Sequence, residues 1–175
     1  MAYVIEKINS IDDSIFRGLF DDSIDKINAG TFLFKEVLTD EQKYLFFKKQ
    51  INGHLAASDG CTIQIKKDNV IVGIVSGSIT DMIFNVTITF FGRDASGSRA
   101  YLYDTDWITA MQEFHISMSS SYTSQQYTHT KESTSKVHYE AMMTRANSDS
   151  AFTCTKGSDV EENTFYVKTK ILDMT

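Results

Sequence analysis

At 175 residues with 42% hydrophobic and 12% aromatic content, the chain is long enough to bury a sizeable core and is read as one domain over 1–175, not as a disordered polymer. A formal charge of −6, a pI near 5.1 and no Lys/Arg cluster beyond two neighbours exclude binding to a phosphate backbone as the main task, so nucleic acid is not an expected partner. No run approaches the length of a membrane span, and the opening MAYVIEKINS has no basic stretch leading into an apolar one, so neither a membrane nor secretion is expected. Cys61 and Cys154 offer no disulfide framework and no CxxC or Cys/His ligand spacing. They read as small buried hydrophobes in a reducing, cytoplasmic compartment (a host's, if the chain is viral), with no metal expected. Proline is absent, which removes cis-proline turns and proline kinks.

In chain order, 2–8 reads as a short first strand. Ser10-Ile11-Asp12-Asp13 resembles a capping box with Asp in place of Glu, opening a helix to about Asn28 with the stripe Ile15, Phe16, Leu19, Phe20, Ile24 and Ile27. Asn28-Ala29-Gly30 ends it, and 31–37 is an edge strand or an extended connector. Thr39-Asp40-Glu41-Gln42 is a second capping box, for a helix to about Ala57 packing through Tyr44, Phe47, Ile51 and Leu55.

Strands are predicted over 61–66, 69–79, 82–91 and 99–103, separated by the polar turns Lys67-Asp68-Asn69 and Thr80-Asp81. The stretch 82–91 has the cleanest period of two, with Met82, Phe84, Val86, Ile88 and Phe90 expected on one face. The stretch 69–79 is apolar on both faces, as a strand covered on both sides must be. Asp104 or Thr105 caps a third helix with the face Trp107, Met111, Phe114 and Met118. A strand is expected within 122–130, a fourth helix over about 133–146, and two last strands over 151–155 and 164–172.

The resulting order, β–α–α–β–β–β–α–β–α–β–β, resembles the fold of the Gcn5-related N-acetyltransferase (GNAT) superfamily over nearly the whole chain. The residues that carry the resemblance are the central meander, Asp68-Asn69-Val70-Ile71-Val72-Gly73 with its charged turn before "Val-Gly", and Ser135-Lys136-Val137-His138-Tyr139-Glu140-Ala141-Met142-Met143, similar to the family's fourth helix. Gly97-Ser98-Arg99-Ala100-Tyr101-Leu102-Tyr103 is similar to degenerate members among marine phage and environmental sequences. The resemblance implies an α/β (α+β) domain with a mostly antiparallel sheet of about seven strands and helices on both faces. It also implies an acyl-CoA-dependent N-acyltransferase, with acetyl-CoA as cofactor and a small-molecule or protein amine as acceptor. Phe91, Gly92, Arg93, Gly97, Ser98 and Arg99 would then border the cofactor, and Tyr139 would protonate the departing thiolate.

The family's Arg/Gln-x-x-Gly-x-Gly/Ala phosphate loop is not matched. Arg93…Gly97-Ser98…Ala100 has one residue too many, and Asp104 and Asp106 place negative charge where a diphosphate would meet a helix. Residue by residue, 92–99 is either an anion-binding loop or a plain hairpin turn with left-handed glycines, and Tyr139 either an acid or a solvated helix tyrosine. His115, His129 and His138 match no ligand spacing and read as structural, and no Gly-x-Ser-x-Gly elbow or base partner marks a serine hydrolase. The rival reading keeps the scaffold and drops the chemistry: a binding or structural protein, dimeric through a sheet edge or the last strands. A ferredoxin-like dimer with a four-stranded sheet is a third.

Overall fold

Turn chemistry shapes the sheet before packing does. A computed structural model of the chain describes residues 3–29, 38–129, 152–159 and 168–174. Its elements are β1 (Tyr3–Lys7), α1 (Asp13–Ala29), α2 (Asp40–Ala56), β2 (Gly60–Lys67), β3 (Val70–Thr80), β4 (Ile83–Phe91), a 3₁₀ turn (Ala100–Tyr103), α3 (Thr105–Ser117), β5 (Ser124–His129), β6 (Phe152–Asp159) and β7 (Lys168–Met174). Two-residue turns join β2 to β3 and β3 to β4, with positive φ at Asp68 (50°) and Asn69 (67°) and at Asp81 (52°) and Met82 (62°). That pairing of left-handed residues matches the right-handed twist of antiparallel strands. The expected 31–37 segment and the 133–146 helix, with His138 and Tyr139, lie outside the described residues.

The seven strands form one sheet in the order β1-β2-β3-β4-β5-β7-β6, antiparallel throughout except for the parallel pair β4 and β5. This bears out the mostly antiparallel sheet and excludes a four-stranded ferredoxin-like arrangement. Helix α3 covers one face, where Trp107 and Met111 pack on Cys61, Ile63, Ile65, Val75, Phe84 and Val86. Helices α1 and α2 cover the other, where Phe16, Leu19, Phe20, Tyr44, Phe47 and Ile51 pack on Ile74, Ile88 and Phe90.

Three local expectations change. Helix α1 is capped by Asp12, not Ser10: the Asp12 carboxylate accepts from the Ser14 N–H at 2.8 Å and the Ile15 N–H at 3.3 Å. The capping box of α2 forms as written, Thr39 Oγ1 taking the Gln42 N–H at 3.2 Å and Gln42 Oε1 the Thr39 N–H at 2.8 Å. Within the expected strand 99–103, Ala100–Tyr103 is a 3₁₀ turn instead, closed by the Leu102 N–H on the Arg99 carbonyl and the Asp104 N–H on the Tyr101 carbonyl, with the Tyr101 hydroxyl drawn to the Val72 and Gly92 carbonyls.

The third change concerns β4. Ser76 of β3 opposes Ile88 and its neighbour Gly77 opposes Val86, so Thr87 is an extra residue without a partner across the ladder. Such a bulge bends its strand and resets the alternation. Phe84 and Val86 therefore face α3, whereas Ile88 and Phe90 face α1 and α2, although the sequence keeps a period of two throughout. Gly77 is what lets the strands close here, because a Cβ on it would lie 1.9 Å from the Asn85 carbonyl oxygen.

Candidate functional site

The bulge falls at the place where β4 and β5 part. Their parallel pairing runs from Ile83↔Ser124 to Val86↔Tyr127, and β4 continues to Phe91 without β5 beside it. The Gly92 N–H donates to the Val72 carbonyl at 2.8 Å, so the alternation turns the backbone of Phe90 and Ile88 towards β3 and that of Phe91 and Thr89 away from it. The Phe91 carbonyl on that side accepts from Arg99 Nε at 2.9 Å.

The loop from Gly92 to Asp104 closes the wide end of this wedge. Its six expected site residues are brought together, but each is used by the protein itself. Phe91 packs its ring on Trp107, centroids 5.8 Å apart. Gly92 presses on α1, where a Cβ would meet Leu19 Cδ2 at 2.8 Å, so its lack of a side chain serves helix packing. Arg93 donates its N–H to Asp22 Oδ2 at 3.1 Å and its guanidinium to the Gly97 carbonyl at 3.0 Å. Gly97 has the left-handed φ of 77° expected of it. Arg99 bridges the Phe91 carbonyl to the carbonyl of Asp22 on α1. The N–H of Ser98, like that of Ser96, points at Asp94.

Asp94 is the residue that sequence reasoning passed over. Its Oδ1 accepts from the N–H groups of Ser96 at 2.9 Å and Ser98 at 3.0 Å and from the Ser96 hydroxyl at 2.5 Å. Its Oδ2 meets Lys67 Nζ of β2 at 2.7 Å, with both side chains about nine-tenths out of water at 10% and 9% exposure. The Lys67 ammonium and the donors of Ser96 and Ser98 hold this carboxyl far below the usual carboxylate range. The pattern Asp-x-Ser-x-Ser was a legible signal of such a turn, but the Lys67 partner was not. The Tyr101 hydroxyl pins the same loop, reaching the Val72 and Gly92 carbonyls at 2.9 and 3.1 Å. Burial pushes its pKa up.

At the start of α3, Asp104 caps the helix by accepting the Asp106 N–H at 2.9 Å. The two acids thus occupy the helix end that a diphosphate would have to approach, and the donors of the preceding loop already serve Asp94. The residues present do not fit the diphosphate of an acyl-CoA.

Of the histidines, His115 is fully buried. Its Nδ1 lies 2.7 Å from the Tyr122 hydroxyl and 3.0 Å from Gln125 Nε2, and burial pushes its pKa down to about 3, which keeps the ring neutral. His129 is on β5. A serine–histidine contact that the sequence did not show does form: His54 Nδ1 lies 2.9 Å from Ser76 Oγ, itself 2.7 Å from Thr62 Oγ1. Ser76 is wholly buried under α2, so it has no route to a substrate. Cys61 is likewise buried, its thiol pushed up to about 11, and Cys154 lies on β6. Among the described residues no group of three or more His, Cys, Asp or Glu could hold a metal ion, and no helix is long and apolar enough to cross a membrane.

No protein-family model and no curated protein matches the sequence. Solved structures do match in shape. The PaiA N-acetyltransferase of Thermoplasma acidophilum, solved with coenzyme A, is similar with a TM-score of 0.58 and 10% identity, covering 100% of both chains. The spermidine N-acetyltransferase of Vibrio cholerae, solved with CoA and spermine, gives 0.57 and 8% over 98% of this chain and 95% of that one. The Campylobacter jejuni N-acetyltransferase PseH gives 0.55 and 11% over 99% of each. Sheet order, the single parallel pair and these likenesses agree: the chain is built on the acetyltransferase fold of the GNAT superfamily.

Proposed function

We propose that the protein is an N-acyltransferase that passes an acyl group from a thioester donor to an amine. The observation that carries this reading is the coincidence of the Thr87 bulge with the end of the β4–β5 pairing. It parts two neighbouring strands of the sheet, and an acyl donor would enter at that parting. Similar structures include enzymes whose names specify amine acetylation, one of them with spermine bound, which supports an amine acceptor. Tyr139 is assigned the role of proton donor to the leaving group. The acceptor, a small molecule or a protein amine, reaches the same wedge as a neutral amine.

The test is a thermal-shift titration with desulfo-CoA followed by an acyl-transfer assay on a panel of amines. Ligand at 100 times its dissociation constant stabilises the native state by about 2.7 kcal/mol, a shift of several degrees for a domain of this size. A saturable shift with turnover supports the reading, and Tyr139→Phe should then lower kcat more than it raises KM. A flat titration with every donor sinks it. One observation favours a second reading, a binding or structural protein on the same scaffold: the donors of Ser96 and Ser98 are bound to the chain's own Asp94.

A further inference from the structure

We propose that the free edge of β1 pairs with a second copy of the chain, β1 against β1, antiparallel about a two-fold axis at Ile5. The association does not depend on the acyltransferase reading, because β2 and β3 stand between that edge and the parting of β4 from β5.

One hydrogen bond and a register set the edge. The Ile8 N–H donates to the Thr62 carbonyl at 2.9 Å, and Glu6 and Val4 stand at the same phase opposite Gln64 and Lys66. Antiparallel ladders alternate, so Tyr3, Ile5 and Lys7 turn their N–H and C=O groups away from β2. Among the described residues no strand lies beyond β1 in the sheet. Such a row of backbone donors and acceptors is a template for another strand. The side chains of the same three residues share the α3 face, where Tyr3 meets the Trp107 ring edge-on at 5.7 Å and Ile5 packs on the core.

Charge decides the occupant and its direction. At one end of the edge the Tyr3 hydroxyl donates to Asp104 Oδ2 at 3.4 Å. Burial, then the charge of Asp104, with Asp106 and Asp68 beyond it, pushes the pKa of that hydroxyl up. At the other end Lys7 is exposed and enters no ion pair among the described residues. A two-fold at Ile5 sets Lys7 of each copy against Tyr3 of the other, so the ammonium meets the acids, and does so twice by symmetry. The three facing pairs exchange roughly six backbone hydrogen bonds. A parallel pairing would put Lys7 on Lys7 and the acids on the acids, and the next antiparallel register, two residues along, would put Lys7 against Ile5. On the far face Val4, 46% exposed, comes opposite Glu6 of the other copy. That carboxylate is already met by Lys66 Nζ at 2.6 Å and Gln64 Nε2 at 3.2 Å, so the axis brings no uncompensated acids together. An edge of five residues makes a small interface, hence a reversible dimer.

The experiment is sedimentation velocity on the full chain over a concentration series, at low and high salt. The native protein should pass from monomer to dimer as concentration rises, and salt should weaken the dimer. Lys7→Glu should weaken it about tenfold or more, and adding Asp106→Lys to Lys7→Glu should restore most of the loss. Lys7→Pro, which removes an outward N–H and leaves the β1–β2 ladder intact, should abolish it. A native chain that stays monomeric throughout overturns the pairing, as does a folded Lys7→Glu that dimerises like the native protein. Should the variants not fold, hydrogen exchange on the native protein decides. The Ile5 and Lys7 amides should exchange more slowly as concentration rises, while those of Val4 and Glu6 stay protected at every concentration. A dimer whose Ile5 and Lys7 amides ignore concentration is joined elsewhere and overturns the assignment to β1.

Discussion

The two ends of β4 are held in different ways. Its first half, up to Val86, is sealed on both edges by β3 and β5 and is backed by a buried neutral network. There Phe84 packs on Tyr122 with ring centroids 5.3 Å apart, and the Tyr122 hydroxyl and Gln125 both meet His115. The second half, from Thr87, loses β5 and is backed instead by charge: Arg99 on the Phe91 carbonyl and Lys67 on Asp94. Neutral hydrogen bonds in a dry core fix one geometry and resist salt. Charged groups near water hold their partners and weaken as salt screens them. The division teaches where the fold relies on neutral packing and where it relies on charge.

The most drastic way to break this comparison is at the bulge. Gly77→Ala drives a Cβ into the Asn85 carbonyl oxygen, 1.9 Å away, and should cost about 3 kcal/mol or more in urea unfolding while collapsing the distinction between the two halves. Next comes acid. His115 has a folded pKa pushed down to about 3, below its unfolded value, so the stability it carries is present above about pH 6.5 and is lost as pH falls. Between about pH 7 and pH 4.5 the loss should be roughly 2–3 kcal/mol, and His115→Gln should flatten that slope; an unchanged slope would show that the closed end does not set it.

The open end answers to a lower pH. Asp94 is depressed by Lys67 and the Ser96 and Ser98 donors, so its contribution is complete above the ordinary carboxylate range and fades only as pH falls below it. Lys67→Met should raise the acid-unfolding midpoint, and native protein in high salt should move in the same direction; the closed end should not respond to salt. The smallest effect tests the cover over Ile88 and Phe90: Thr39→Ala removes one arm of the α2 capping box and should cost about 1 kcal/mol by thermal unfolding, without altering the slope due to His115.

Most of the fold was legible because it is written in local signals: the Thr39–Gln42 box, the turn residues Asp68-Asn69, the Trp107-Met111-Phe114 stripe of α3 and the doubly apolar run of β3. What was not legible is what depends on partners distant in sequence. The run Phe84-Val86-Ile88-Phe90 looks like one face, and only the register against Ser76 and Gly77 shows that it serves two cores. The 3₁₀ turn at 100–103 was read as a strand because Tyr101 and Leu102 resemble strand residues until the Val72 and Gly92 carbonyls claim the tyrosine hydroxyl. The loop at 92–99 reads from sequence as either an anion-binding loop or a plain hairpin turn, and the carboxylate that its donors meet, Asp94 backed by Lys67 from 27 residues earlier, could not be seen without the sheet. The Ser76–His54 contact is hidden for the same reason.

The tight turns at Asp68-Asn69 and Asp81-Met82 have a consequence for how the molecule assembles. They make β2, β3 and β4 neighbours in sequence as well as in space, so this meander closes with short loops and small entropic cost, whereas β5 reaches β4 only after the chain has travelled through α3. The parting of strands at Val86 is then among the last features to appear, and until it does, the whole outer side of β4 is an unpaired edge open to other chains. Pulse-labelled hydrogen exchange during refolding should protect the β3 amides before those of β5, and refolding yield should fall with protein concentration for as long as that gap in protection lasts.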